Sequence, residues 1–134
     1  MKVITLWQPW ASMVTWGWKP IETRTHARFM CLCNQTIGIH AGQKWDKDWY
    51  ELAAKYLTLE QRDKIWDIED HYEKGKILST AFVEKVMRLD DEHSSSALIY
   101  CGFPYRFGLF LQDIKPLENP IIIKGKQGIW SYDL

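Results

Sequence analysis

No stretch of this 134-residue chain is long and apolar enough to span a membrane. Its first residues, Met1-Lys2-Val3-Ile4-Thr5, lack the pattern of a signal peptide. Net charge is also missing: 17 basic and 17 acidic residues cancel, which removes the global signature of a polyanion-binding protein. Cysteine is scarce and odd in number, at Cys31, Cys33 and Cys101. A lone C-x-C pair lacks the spacing of a zinc framework, and free thiols in a cytoplasmic protein are the expectation. His26, His71 and His93 have no partners at metal-ligand spacing, so neither a metal nor a cofactor is expected. The P-loop spacing, internal repeats and any Ser-His-Asp or Cys-His arrangement are absent too.

What is present is apolar and aromatic. The chain is 46% hydrophobic with eight tryptophans, enough for a core of its own at the size of one domain spanning 1–134. Charge is unevenly placed. Residues 1–44 carry Lys2, Lys19, Arg24, Arg28 and Lys44 against the single acid Glu22, whereas residues 45–74 carry nine acids against five bases. The plainest reading of the acidic stretch is the solvated face of helices.

The pattern predicts a short strand over Val3–Trp7 and a helix from Pro9 to Trp16, with proline in the first turn and Gly17 as the left-handed stop. An extended segment follows from Pro20 to about Thr25. Phe29–Cys33 reads as a strand, Asn34-Gln35 as a turn, and Thr36–His40 as a strand with His40 facing opposite to Ile37 and Ile39. From Trp45 the period changes. Trp45, Trp49, Leu52, Ala53 and Tyr56 form one helical stripe, and Thr58 with Gln61 forms a capping box for a second helix reaching Lys74 before Gly75. Residues 45–74 thus read as a helical hairpin lying against the rest. Lys76–Leu89 reads as a long strand, 90–96 as a charged loop, and Ala97–Cys101 and Phe107–Ile114 as strands. Lys115–Pro120 reads as a turn-rich link, and Ile121–Ile123 as a short apolar piece before a Gly125–Gly128 loop. About six strands with two helical pieces fit a small mixed α+β barrel.

The candidate site lies near the start. Glu22 and Arg24, two apart on a strand, project together, with Lys19 just before them. The carboxylate can accept from a ring N–H or an exocyclic amine, and the two cations can meet phosphate or carbonyl oxygens. The plainer alternative is a solvated ion pair of little energetic worth. Among the tryptophans nearby, Trp7 and Trp16 are expected in the core, and Trp10 or Trp18 as a stacking plane for a base. His40 reads as a hydrogen-bonded structural residue or a neighbour of the ligand. Lys124-Gly125-Lys126-Gln127-Gly128 reads as a tight turn or as a loop whose backbone can approach an anion. Glu84 reads as a sheet-surface charge, or else as an acid turned into the barrel.

Four ordered pieces of the chain also resemble a known family. Leu6-Trp7-Gln8-Pro9-Trp10-Ala11 and the G-x-K-x-x-E-x-R run from Gly17 to Arg24 are similar to the opening signature of the ASCH family, a branch of the PUA-like superfamily. Ile39-His40-Ala41 resembles its next strand, and Pro120 with Lys124–Gly128 and Trp130 its closing segment. The resemblance implies a small PUA-like mixed β-barrel with flanking short helices and the 45–74 helical insertion. It implies binding of RNA, other single-stranded nucleic acid or a modified nucleoside in a barrel cleft. The residues expected to bind the ligand, on their own chemistry and on this resemblance together, are Gln8, Trp10, Trp18, Lys19, Glu22, Arg24, His40, Lys126 and Gln127. Some small bacterial members are amidohydrolases that remove the acetyl group of acetylated cytidine with a lysine, a threonine and a glutamate. That lysine maps onto Lys19, but the threonine position holds Glu22. A binding module is therefore the leading expectation and an enzyme the lesser one, with Lys19 and Glu22 as its catalytic pair. The third is a protein-interaction domain working through the 45–74 helices.

Overall fold

The computed structural model describes residues 1–133, built on one six-stranded mixed sheet. Its strands are β1 (Lys2–Gln8), β2 (Ile21–Arg24), β3 (Thr36–Trp45), β4 (Lys76–Arg88), β5 (Phe107–Ile122) and β6 (Ile129–Ser131). They lie in the order β2-β5-β4-β3-β1-β6. β1 and β3 run parallel, and every other neighbouring pair is antiparallel. The sheet curls into a half-barrel flanked by short helices, α1 (Trp10–Thr15), α2 (Trp49–Ala53), α3 (Leu59–Ile68) and α4 (Ser94–Ala97). Among the described residues, no helix is long and apolar enough to cross a membrane.

Alternation along the strands builds the core. Ile4 and Leu6 of β1, Ile37 and Ile39 of β3, Val83 of β4, and Leu109 and Leu111 of β5 meet Ala11 and Val14 of α1 inside the curl. Met13, on another side of the same short helix, packs with Trp49, Ala53, Leu57, Ile65 and Leu98 in a second cluster. α1 is thus wedged between the sheet and the 49–68 helices, and both of its flanks are fixed by burial.

Several segments differ from the sequence reading. Phe29–Cys33 is no strand: Arg28–Leu32 forms a 3-10 turn that drops Phe29 and Leu32 into the core, and periodicity cannot separate these outcomes in so short an apolar run. Ala97–Cys101 is no strand either, because α4 ends there and the chain turns at Leu98, φ 57°. Lys115–Pro120 belongs to β5 rather than to a link. β2 pairs with β5 only across Phe107–Phe110, so the far side of β5 is a free edge at Pro116 and Pro120. A missing N–H there costs no ladder bond.

The 45–74 segment is helical only in part. Trp45 ends β3, α2 runs into a 3-10 turn (Ala54–Tyr56), and α3 stops at Ile68, well short of Lys74. The capping box forms as read: the Gln61 N–H donates to Thr58 Oγ1 at 3.1 Å, and the Thr58 N–H to Gln61 Oε1 at 2.9 Å. Gly75, φ 65°, turns the chain into β4 instead of ending a helix. The 90–96 loop holds a 3-10 turn (Asp91–His93) and the start of α4.

Candidate ligand-binding cleft

Placement of Lys19 begins with the end of α1. Pro9 occupies the N-cap position, just ahead of the first turn where it was expected. Six residues later the helix closes in a Schellman arrangement: the Gly17 N–H donates to the Val14 carbonyl and the Trp18 N–H to the Met13 carbonyl, both at 2.9 Å. Gly17 supplies the required positive φ of 82°. The Lys19 N–H also reaches the Met13 carbonyl, at 3.2 Å, so the chain doubles back around the helix end. This turn drives the Lys19 side chain inward, where it is only 2% exposed.

The buried ammonium has defined partners. Nζ donates to the Ala97 carbonyl, lies 3.8 Å from Glu22 Oε1 and sits 5.3 Å from the centre of the Trp10 ring. Burial lowers its pKa to about 8, against the opposing pull of Glu22. On β2 the strand period brings Arg24 alongside Glu22, and Arg24 Nη1 donates to Glu22 Oε2 at 2.7 Å. Glu22 is itself buried, so its carboxylate is held between two cations.

The facing wall comes from β1, β3 and the segment before β6. Trp10 Nε1 donates to Asp46 Oδ2 at 2.8 Å, which fixes the plane of its ring. Trp7 is half exposed, with Lys44 Nζ 5.1 Å from its ring centre. His40 Nε2 lies 2.7 Å from the Ile123 carbonyl and therefore carries the proton. Nδ1 then accepts from the Thr5 hydroxyl at 3.2 Å, and that oxygen accepts from Trp130 Nε1 at 3.0 Å. Burial lowers the His40 pKa, which keeps the ring neutral. Gly125 passes directly over this imidazole, where any Cβ would collide with it. The Lys124–Gly128 lip is thereby held close to the sheet.

Together these surfaces enclose a cleft of about 1010 Å³. Six basic side chains line it, Lys19, Arg24, Arg28, Arg106, Lys124 and Lys126, against two carboxylates, Glu22 and Asp46. A chain with no net charge has concentrated positive charge in one concavity. Such an arrangement raises the local concentration of anionic ligands.

No family model and no curated protein matches the sequence. Solved structures, however, share the architecture just described. The crystal structure of ASCH from Zymomonas mobilis covers 90% of this chain and 71% of its own, with a TM-score of 0.57 at 16% identity. Two mutant forms of that protein also cover 90% of this chain, with TM-scores of 0.53 and 0.51 at 18% identity. This chain has the ASCH fold. At such identities the likeness is one of fold alone: a curled, mixed six-stranded sheet flanked by short helices.

Within the ASCH fold, Trp10, Lys19, Glu22, Arg24, His40, Lys126 and Gln127 all line the cleft. Gln8 and Trp18, expected beside them, do not. Gln8 is fully buried, donating from Nε2 to Ser12 Oγ and the Glu73 carbonyl, both at 2.8 Å, and accepting the Ser12 N–H at 2.9 Å. It ties α1 to the residues before β4. Trp18 packs on Trp16, 4.7 Å between ring centres, with the Lys64 ammonium 5.6 Å from its own. Trp7, expected in the core, stands on the cleft rim because β1 alternates and turns Leu6 and Gln8 inward. Three charged cleft residues escaped the sequence reading as ligand contacts. Arg28 arrives on the 3-10 turn mistaken for a strand, Asp46 at the end of β3 mistaken for a helix, and Arg106 on the loop after α4. For Arg28 the basic bias of residues 1–44 was a usable signal; for Arg106 there was none. Outside the cleft, Glu84 is an exposed sheet residue accepting from Gln112 Nε2 at 3.0 Å. Asp90, Glu92 and His93 gather on the surface, where the Asp90 N–H donates to His93 Nδ1 as part of a helix cap.

Proposed function

We propose that this protein binds single-stranded RNA or a modified nucleotide in the cleft, as a reader of a base and its attached phosphate. The observation that carries this reading is the six-to-two excess of basic over acidic side chains in a cavity that also presents Trp7 and Trp10. Arg24, Arg28 and the two lysines of the 124–128 lip supply donors for phosphate oxygens. Glu22 supplies the acceptor for a base amine or ring N–H, and the exposed Trp7 indole offers a stacking face.

A second reading, hydrolysis of an acylated nucleoside such as acetylated cytidine, draws on one observation. With its pKa lowered to about 8, Lys19 is about one-tenth neutral at pH 7 and so able to take a proton from water. Binding is favoured over it because the Lys19 ammonium is already engaged by the Ala97 carbonyl and Glu22, and because Glu22 occupies the position where a threonine nucleophile would be needed.

The test is a tryptophan-fluorescence titration with ribonucleotides, acetylated cytidine and short single-stranded RNA and DNA, beside Arg24→Ala and Lys126→Ala. Quenching weakened about tenfold in Arg24→Ala, with ligand recovered intact after overnight incubation, is the expected result. Recovered deacetylated product would replace the first reading with the second. An absence of binding by both fluorescence and calorimetry would refute both.

A further inference from the structure

A smaller depression of about 330 Å³ opens beside the main cleft, and the two share a wall made by Leu52, Ile99 and Arg106. Beyond that wall the floor carries Tyr100, half exposed, and Lys55. The Lys55 ammonium lies 5.0 Å from the Tyr56 ring centre and 5.8 Å from that of Tyr100, held between two phenols. Its volume is near the lower end of the range for small-molecule sites, about 300–1,000 Å³.

Resting on the reading of the main cleft above, we propose that this depression is a second nucleotide subsite and that the preferred ligand is an RNA strand rather than a free nucleoside. A strand leaving the main cleft crosses the shared wall, where Arg106 borders both cavities and meets the connecting phosphodiester. The next base stacks on Tyr100, and Lys55 shares with Arg106 the neutralisation of that same phosphodiester. Glu51, the one carboxylate lining this depression, offers an acceptor to the amino edge of that base. Stacking on an aromatic plane with a cation beside it is the sequence-tolerant way in which single strands are held.

The backbone is shaped to hold Tyr100 in place. Leu98, φ 57°, sends the chain out of α4 towards the wall. The Tyr100 phenol then folds across Gly102, where a Cβ would collide with the ring. Gly102 does not have a positive φ, so alanine is compatible with the backbone there. Gly102→Ala therefore displaces the end of one flexible side chain and leaves the fold intact.

Calorimetry with the four ribonucleoside 5′-monophosphates and the corresponding 5′-phosphorylated homodinucleotides tests the proposal. At least one dinucleotide is expected to bind about tenfold tighter than its mononucleotide. Tyr100→Ala, Lys55→Ala and Gly102→Ala are each expected to erase most of that gain while leaving the mononucleotide Kd within twofold. Mononucleotides that bind while no dinucleotide binds tighter would overturn the second subsite and spare the main one. A dinucleotide gain untouched by all three substitutions would overturn the placement on Tyr100. Failure of every nucleotide to bind would overturn both sites together.

Discussion

Lys19 is a buried cation whose burial can be weighed by its proton. Its pKa is lowered from 10.5 to about 8 in the folded chain, with desolvation as the largest cause and Glu22 opposing it. Between those two values the unfolded chain holds the proton and the folded chain does not. Stability contributed by this group therefore rises with pH across that window, at about 1.4 kcal/mol per pH unit. The full interval is worth about 3 kcal/mol, and below pH 8 the penalty of carrying the buried charge is present in full. Lys19→Met removes the titrating group while keeping most of the unbranched side chain. Urea unfolding of both proteins at steps from pH 7 to pH 10.5 isolates the effect, since the other groups that titrate there are common to both. The stability of the variant relative to the wild type is expected to be constant up to about pH 8 and then to fall by about 3 kcal/mol. Parallel profiles would mean that the ammonium keeps an ordinary pKa in the fold, and the desolvation argument for Lys19 would be refuted.

Loss of the capping box in Thr58→Ala is expected to cost about 1 kcal/mol in urea unfolding. Nucleotide binding should be unchanged, because Thr58 lies outside the cleft. Affinity for single-stranded RNA should fall with salt along a log–log slope no steeper than about −5, the limit if the six basic cleft residues and Lys55 each meet a phosphate; a steeper slope in filter binding would place much of the interface elsewhere. His40 has a folded pKa below its ordinary value, so its contribution to stability is present above pH 6.5 and is lost as pH falls towards the folded value. Urea midpoints measured from pH 7 down to pH 5 should therefore drop more steeply for the wild type than for His40→Gln, and equal slopes would show that His40 protonates freely in the fold.

Where local chemistry determines geometry, the sequence was readable. Gly17 ends α1 because a left-handed residue is needed there, Thr58 and Gln61 cap α3, and the strand period sets Glu22 beside Arg24. The misreadings share a different cause. Whether Pro116 lies in a strand depends on which edge of β5 lacks a partner, and that is set by the length of β2. Gln8, in a motif otherwise pointing to a ligand, is used up by Ser12 and the distant Glu73 carbonyl. Trp7 and Trp18 exchange their expected surroundings, because the direction of an indole follows from strand pleat and helix exit rather than from residue type. Arg106 joins the cleft only through the turn at Leu98. Pairwise, sequence-local features were visible, and those decided by a remote neighbour were not.

The strand order has a consequence for the chain while it is being made. β1 leaves the ribosome before the other strands of the sheet and finds β3 soon after that strand is made, but its other edge is reserved for β6. Until residues 129–131 emerge, a row of backbone donors and acceptors on β1 stays open to any passing strand. The same delay leaves Trp7 without the 124–128 lip that completes the cleft. Products of premature termination should therefore be the aggregating species in any expression of this protein, and a translational pause just before β6 would be more harmful than one between α2 and α3.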